Sequence, residues 1–138
     1  MKTVFLDANI FMYAAGAEHP NKEPCVQLLL RAAESMTASE EYISNTEVLQ
    51  EILHRYRSIG RSDLSHRIFD FVVGIPIRFL PIQLDTMLEA NDILKNQPAL
   101  STRDAVHIAS MKQAGVRRVY SYDRGFDGIP FIERVEPK

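Results

Sequence analysis

The sequence lacks most features that assign a protein quickly. Cys25 is its only cysteine, so no disulfide forms within the chain, and a reducing cytoplasm is the expected setting. No apolar run approaches the roughly 18–20 residues that cross a bilayer, so no membrane partner is expected. The N-terminal stretch Met1-Lys2-Thr3-Val4-Phe5-Leu6-Asp7 has neither the long apolar segment nor the small-residue cleavage site of a secretory signal. Positive charge is not in surplus. Sixteen Lys and Arg against eighteen Asp and Glu leave a formal charge of −2, which excludes a histone-like grip on nucleic acid by bulk charge. A local basic patch or bound cations remain able to hold a polyanion. There is no glycine-rich phosphate loop of the Walker type and no Gly-x-Ser-x-Gly elbow. His19, His54 and His66 share no ligand spacing and Cys25 stands alone, so nothing signals zinc. Repeats, low-complexity tracts and linkers are also missing.

What is present reads as an ordinary folded chain. Its 138 residues are 46% hydrophobic and 25% charged, which fits one domain over residues 1–138 burying about 65–70% of its unfolded surface. Thr3–Leu6 is a short β-prone run ending at Asp7, followed by a short helix over Ile10–Ala15 that Gly16 stops. Glu18–Pro24 reads as a loop and Pro24–Ser35 as a helix, with proline suited to its first turn. Tyr42–Ser44 is a second strand. Val48, Leu49, Ile52, Leu53 and Tyr56 then form the stripe of an amphipathic helix running from Asn45 or Thr46 to Ser58. Further helices are expected over Ser62–Gly74, Asp85–Asn96 and Thr102–Gly115. Strands are expected at Ile77–Leu80, where Pro76 and Pro81 suggest a sheet edge, at Val119–Ser121 and at Phe131-Ile132. The alternation predicts a three-layer α/β/α sandwich around a mostly parallel sheet of about five strands.

Ligands of such sheets collect beyond the carboxyl ends of the strands. Asp7 and Asp123 stand at two such ends. Each could instead cap a helix start, but their matched placement on separate βα units favours a shared site. Glu47 and Glu51 are an i, i+4 pair on one helix side. Ser44-Asn45-Thr46-Glu47 has the form of a capping box, which gives Glu47 a structural role and leaves Glu51 without one. A surface ion pair between Glu51 and Arg55 is the alternative. Asp104, in Ser101-Thr102-Arg103-Asp104, suits a first helical turn and a second capping box equally well. Clustered carboxylates need cations or protons between them, and oxygen-only donors suit Mg²⁺ or Mn²⁺.

Four blocks, Phe5-Leu6-Asp7-Ala8-Asn9-Ile10, Glu47-Val48-Leu49-Gln50-Glu51-Ile52, Arg103-Asp104-Ala105-Val106-His107-Ile108-Ala109 and Ser121-Tyr122-Asp123-Arg124-Gly125-Phe126-Asp127, resemble, in order, the signatures of PIN-domain nucleases. The blocks are similar in particular to those of VapC-like toxins of toxin–antitoxin pairs, and the likeness runs from Thr3 to Pro137. The resemblance implies a five-stranded parallel sheet and Mg²⁺- or Mn²⁺-dependent cleavage of RNA by activated water. It implies that Asp7, Glu51, Asp104 and Asp123 are the catalytic and metal-holding residues, with Asn9 orienting Asp7 and Asp127 just beyond the quartet. It also implies a small antitoxin partner, and a homodimer in the cytoplasm is expected beside it. His107, three residues after Asp104, is either packed core or a partner of that carboxylate. Arg103, Lys112, Arg117, Arg118 and Arg124 are candidate RNA-backbone contacts. Phe69, Phe71, Val72 and Val73 exceed one buried stripe and offer a docking surface. The alternatives are a housekeeping PIN nuclease of RNA processing and a non-catalytic RNA- or partner-binding module. A haloacid-dehalogenase-type phosphatase would want an acid where Asn9 stands.

Overall fold

Val4, Phe5 and Leu6 are fully buried, and a run without an exposed alternate residue needs neighbours on both edges and both faces. The computed structural model, which describes residues 2–34 and 39–138, supplies them. Strand β1 (Lys2–Leu6) lies at the centre of a five-stranded sheet of order β3-β2-β1-β4-β5. Its neighbours are β2 (Glu40–Asn45), with Phe5 opposite Ile43, and β4 (Arg118–Tyr120), with Phe5 opposite Val119. Strands β3 (Arg78–Leu80) and β5 (Glu133–Val135) form the edges, and all four pairings are parallel.

Between β1 and β2 run α1 (Ala8–Ala15) and α2 (Lys22–Ala33), and between β2 and β3 run α3 (Thr46–Ser58) and α4 (Ser62–Val73). These crossovers step in one direction along the sheet, so right-handedness puts all four helices on one face. The return from β3 to β4 through α5 (Leu84–Asn96) and α6 (Thr102–Gln113) reverses direction and covers the other face. The chain thus forms the expected three-layer sandwich. Its reversal point is the crevice between β1 and β4, where Asp7 N–H donates to Tyr120 C=O at 3.1 Å. Ligand crevices of open α/β sheets lie at such points.

Several boundaries differ from the sequence reading. Helix α2 begins at Lys22, so Pro24 sits inside its first turn, where a missing N–H costs nothing; the Ser35 end of the expected helix lies outside the described residues. The fifth strand is Glu133–Val135. Phe131 and Ile132 instead pack against the core while Glu133 N–H, bonded to Arg117 C=O, starts the ladder. The Ser44–Glu47 capping box does not form. Ser44 Oγ donates to Leu6 C=O at 2.8 Å and Asn45 Oδ1 accepts from Val48 N–H at 3.0 Å, so Asn45 is the cap.

Helix α6 departs furthest from an amphipathic stripe. Asp104 through Met111 are all buried, because α6 is enclosed by α5, α3 and the sheet, with Ala90, Ala105, Val106 and Ala109 at the α5 contact. The extra apolar surface expected on α4 is smaller than its sequence suggests. Val72 is fully buried, Phe69 is half-buried, and Phe71 and Val73 are exposed. Val72→Ala should therefore cost about 2 kcal/mol in denaturant unfolding, and Phe71→Ala about 0.5 kcal/mol or less. Equal losses would put both side chains in the core.

Candidate functional site

Asp7 ends β1 and caps α1, its Oδ1 accepting from Ala8 N–H at 2.8 Å. Its other oxygen is fixed from the neighbouring strand end: Ser121 Oγ donates to Oδ2 at 2.6 Å. Asn9 Nδ2 reaches the same oxygen at 3.4 Å and Ser121 Oγ at 3.2 Å, while Asn9 Oδ1 accepts from Tyr122 N–H. Asn9 thus stands beside the first carboxylate, in contact with it and with Ser121. Ser121 also accepts from Asp123 N–H at 2.9 Å, which ties the second strand-end acid to the first. Sequence reasoning overlooked Ser121. The signal was available, because a small hydroxyl at the end of β4 obeys the same strand-end rule as the acids.

Asp104 arrives from the opposite face, in the first turn of α6. Ser101 Oγ accepts from its N–H at 3.1 Å, and its carboxylate lies within 4.8 Å of those of Asp7 and Asp123. Glu51, half-buried on α3, comes up beside Asp7. All four predicted acids line one cavity of about 210 Å³, together with Asn9, Met12, Arg55, Ser101 and Arg103. Within it, ligand atoms of Asp7, Asp104 and Asp123 lie within 4.8 Å of one another, as do those of Asp7, Glu51 and His107. Asp7 belongs to both groups.

Like charges this close raise each other's pKa. Burial, the hydrogen bond to Asp123 and the charges of Asp7 and Asp123 push Asp104 up to about 8. Burial raises Asp7 as well, against the pull of His107 and Ser121. The cluster therefore needs either protons or cations, and a set of carboxylate oxygens fits a hard divalent cation such as Mg²⁺ or Mn²⁺. Gly125 closes the cluster from behind. Its N–H donates to Asp123 Oδ1 at 2.8 Å, and a Cβ on it would stand 2.9 Å from Asp104 Oδ2 and 3.0 Å from Asp123 Oδ1.

Other predicted residues fall elsewhere. Glu47 is half-buried and does not line the cavity; burial and the charge of Glu51 raise its pKa. Asp127 pairs with Arg134 at 2.8 Å, which lowers its pKa, and is absent from the cavity lining. His107 meets Glu51 at 2.5 Å and Asp7 at 3.6 Å in place of the expected partner Asp104. Complete burial disfavours charge on His107, but Glu51, Asp7 and Asp104 lift its pKa above the usual value. Of the basic residues, Arg103 lines the cavity, Arg124 adjoins Asp123, and Arg55 lines it where only a pair with Glu51 was considered. Lys112 pairs with Glu89, Arg118 with Glu40 and Glu133, and Arg117 donates to Phe131 C=O. Arg117 and Arg118 lie at the start of β4, away from the end that carries Asp123.

The pattern of the PIN domain matches residues 4–132. A VapC ribonuclease of Mycobacterium bovis and ribonuclease VapC13 of Mycobacterium tuberculosis are each 40% identical over 132 residues, covering 96% of this chain and 98% of theirs. Among solved structures, VapC20 of M. tuberculosis, described as a toxin that cleaves the sarcin–ricin loop, superposes with a TM-score of 0.76 at 17% identity. That match covers 97% of this chain and 99% of VapC20. VapBC2 of Rickettsia felis, bound to a DNA fragment from its promoter, gives 0.72 at 12% identity, covering 99% of both chains.

Two outcomes follow from the crowded carboxylates. Asp104 has its pKa raised from 3.8 to about 8, so its contribution to stability is full below 3.8 and is lost as pH rises through 8. In chelator-treated protein the melting temperature should fall across that window, and Asp104→Asn should flatten the fall; an unchanged slope would place the effect on other groups. Gly125→Ala should melt within about 4 °C of wild type, since carboxylate tips can yield, yet lose at least about tenfold in activity. Full activity would mean that the close approach is not needed.

Proposed function

This chain belongs to the PIN-domain family, and from that premise we infer that it is a VapC-type toxin ribonuclease cutting RNA at the cavity of Asp7, Glu51, Asp104 and Asp123. The observation that carries the assignment of the site is the convergence of four acids from β1, α3, α6 and the β4 end, with Asp7 common to two ligand groups. In this reading one nuclease domain spans residues 1–138 and acts in the cytoplasm, where RNA is at hand.

PIN nucleases use divalent metals, and here Asp7, Asp104 and Asp123 would hold one such cation, Mg²⁺ or Mn²⁺, with Asp7 and Glu51 facing a second position. Bound there, the cation supplies Lewis acidity that activates water and steadies the departing oxygen of a phosphodiester. The protein's own part is placement. Ser121 and Ala8 N–H keep both oxygens of Asp7 in fixed directions, which makes it the natural shared ligand. Arg55 and Arg103 at the rim make no ion pair among the described residues and can hold the RNA backbone beside the acids. Ser121 Oγ already donates its hydrogen to Asp7. In this reading water, activated at the acids, attacks phosphorus.

The partner is a small antitoxin, in keeping with the solved toxin–antitoxin complexes of similar fold. An apolar groove of about 330 Å³ runs beside α1, α2 and α4, lined by Ala14, Val26, Leu29, Leu30, Phe71 and Ile75. It suits the apolar face of an inhibitor helix, with an Arg or Lys reaching the acids. A second copy of the chain would cover Leu84, Met87 and Leu88, exposed on one side of α5.

Purified protein should cut RNA with Mg²⁺ or Mn²⁺ and stop with EDTA. Asp7→Asn and Glu51→Gln should each reduce cleavage at least about 100-fold, while Glu47→Ala retains it. Activity in Glu51→Gln with loss in Glu47→Ala would exchange the two roles. Expression should slow the host's growth and Asp7→Asn should relieve it. Equal growth with wild type and Asp7→Asn, while wild type cuts RNA, would make the chain a housekeeping nuclease.

A further inference from the structure

Asn45 ends β2 and caps α3, and its amide has little choice of direction. Oδ1 accepts from Val48 N–H at 3.0 Å, so the NH₂ group faces His107 Nδ1, 3.1 Å away. Turning the amide over would aim its NH₂ at the Val48 N–H and forfeit the cap. A hydrogen on Nδ1 would meet the same NH₂, donor against donor, so Nδ1 is the bare acceptor. The ring's proton is then on Nε2, 2.5 Å from Glu51 Oε1. The ring itself is fixed, fully buried and 5.3 Å from the Phe5 ring.

A competing arrangement exists, because Asp7, Glu51 and His107 have ligand atoms within 4.8 Å of one another and could be read as a three-ligand metal site. A metal on Nε2 would need its proton moved to Nδ1, where the Asn45 amide hydrogens stand. The surrounding carboxylates favour a second proton on the ring, but that proton too would have to sit on Nδ1.

We propose that the α3 cap Asn45 sets the tautomer of His107, which makes His107 a positioning residue that donates to Glu51 and aims it into the cavity rather than a metal ligand. The hydrogen bond occupies Oε1 and leaves the second oxygen of Glu51 for the cavity. The consequence for metal rests on the proposed role of Glu51; the tautomer does not.

The imidazole ¹H–¹⁵N correlations of chelator-treated, full-length protein at pH 7.5 read the tautomer directly. The expected spectrum has the His107 proton on Nε2 and a bare Nδ1, and this protonation pattern stays on adding Mg²⁺. A proton on Nδ1, a doubly protonated ring, or loss of the Nε2 proton on adding Mg²⁺ would overturn the proposal. Serine caps helices as well as asparagine but cannot reach His107. Asn45→Ser should therefore keep a cooperative melt while its Mn²⁺ dissociation constant, measured by calorimetry, rises about tenfold. His107→Gln, which restores an N–H toward Glu51, should bind Mn²⁺ more tightly than His107→Leu. Mn²⁺ binding unchanged in Asn45→Ser, or equal binding in the Gln and Leu variants, would overturn the positioning role. Wild type that binds no Mn²⁺ but keeps the proton on Nε2 would defeat the metal reading of the acids and still support the tautomer.

Discussion

The 2.6 Å hydrogen bond from Ser121 to Asp7 joins the carboxyl ends of the two strands between which the chain reverses direction. Everything at the cavity hangs from that junction. Asp7 is buried at the end of a strand that is itself enclosed on both faces, and a carboxylate so placed would be neutralised by its surroundings unless donors and positive charge were supplied. The fold supplies donors on three sides: Ala8 N–H from its own helix, Ser121 from the next strand and Asn9 between them. Positive charge is what remains wanting. Because Asp104 and Asp123 press against each other beside Asp7, the arrangement is electrostatically incomplete until protons or cations enter it. A site that takes up cations is organised in this way, with repulsion held by the scaffold and relieved by what binds.

The scaffold that resists this repulsion is spread over the molecule. Arg134 of the edge strand β5 donates to Ser121 C=O at 3.1 Å and pairs with Asp127, so it clasps the turn that carries Asp123 from both ends. Gly125 lets that turn pass close to Asp104. On the other face α6 is buried along eight consecutive residues, which removes solvent from Asp104 and His107 and raises the energetic stake of every polar contact they make. None of the buried side-chain polar atoms among the described residues lacks a partner. Polar groups at this depth are tolerated because they are bonded to one another, and that mutual satisfaction fixes their directions.

The same features separate what was legible in the sequence from what was not. Apolar β-prone runs that stop at an acid mark a buried strand and the ligand end of a parallel sheet, so Asp7 and Asp123 could be read without a structure. So could α3, whose stripe sets the phase of Glu51. The choice of Glu51 over Glu47 rested on the family pattern and on a cap that does not exist, and it is Glu51 that lines the cavity. Ser44 turns to the β1 carbonyl and Asn45 caps α3, because β2 runs on to Asn45 and carries its side chain to the helix end. The position of β5 was missed by two residues, since Phe131 and Ile132 are apolar enough for a strand but are drawn into the core before the ladder begins.

Local pattern, then, determined the order of elements, the α/β class and the strand-end acids Asp7 and Asp123, because hydrophobic periodicity and strand-end placement are short-range properties of the chain; Glu51 and Asp104, which lie on helices, were singled out by the family resemblance. Tertiary structure alone decided that β1 lies between β2 and β4, that α6 is enclosed on every side, and that His107 faces Glu51 instead of its helix neighbour Asp104. It also decided which basic residues reach the cavity: Arg55 and Arg103 do, while Arg117 and Arg118 lie at the opposite end of β4. These outcomes depend on which elements become neighbours across the sheet. That is settled by the summed packing of residues far apart in sequence, which no single segment encodes.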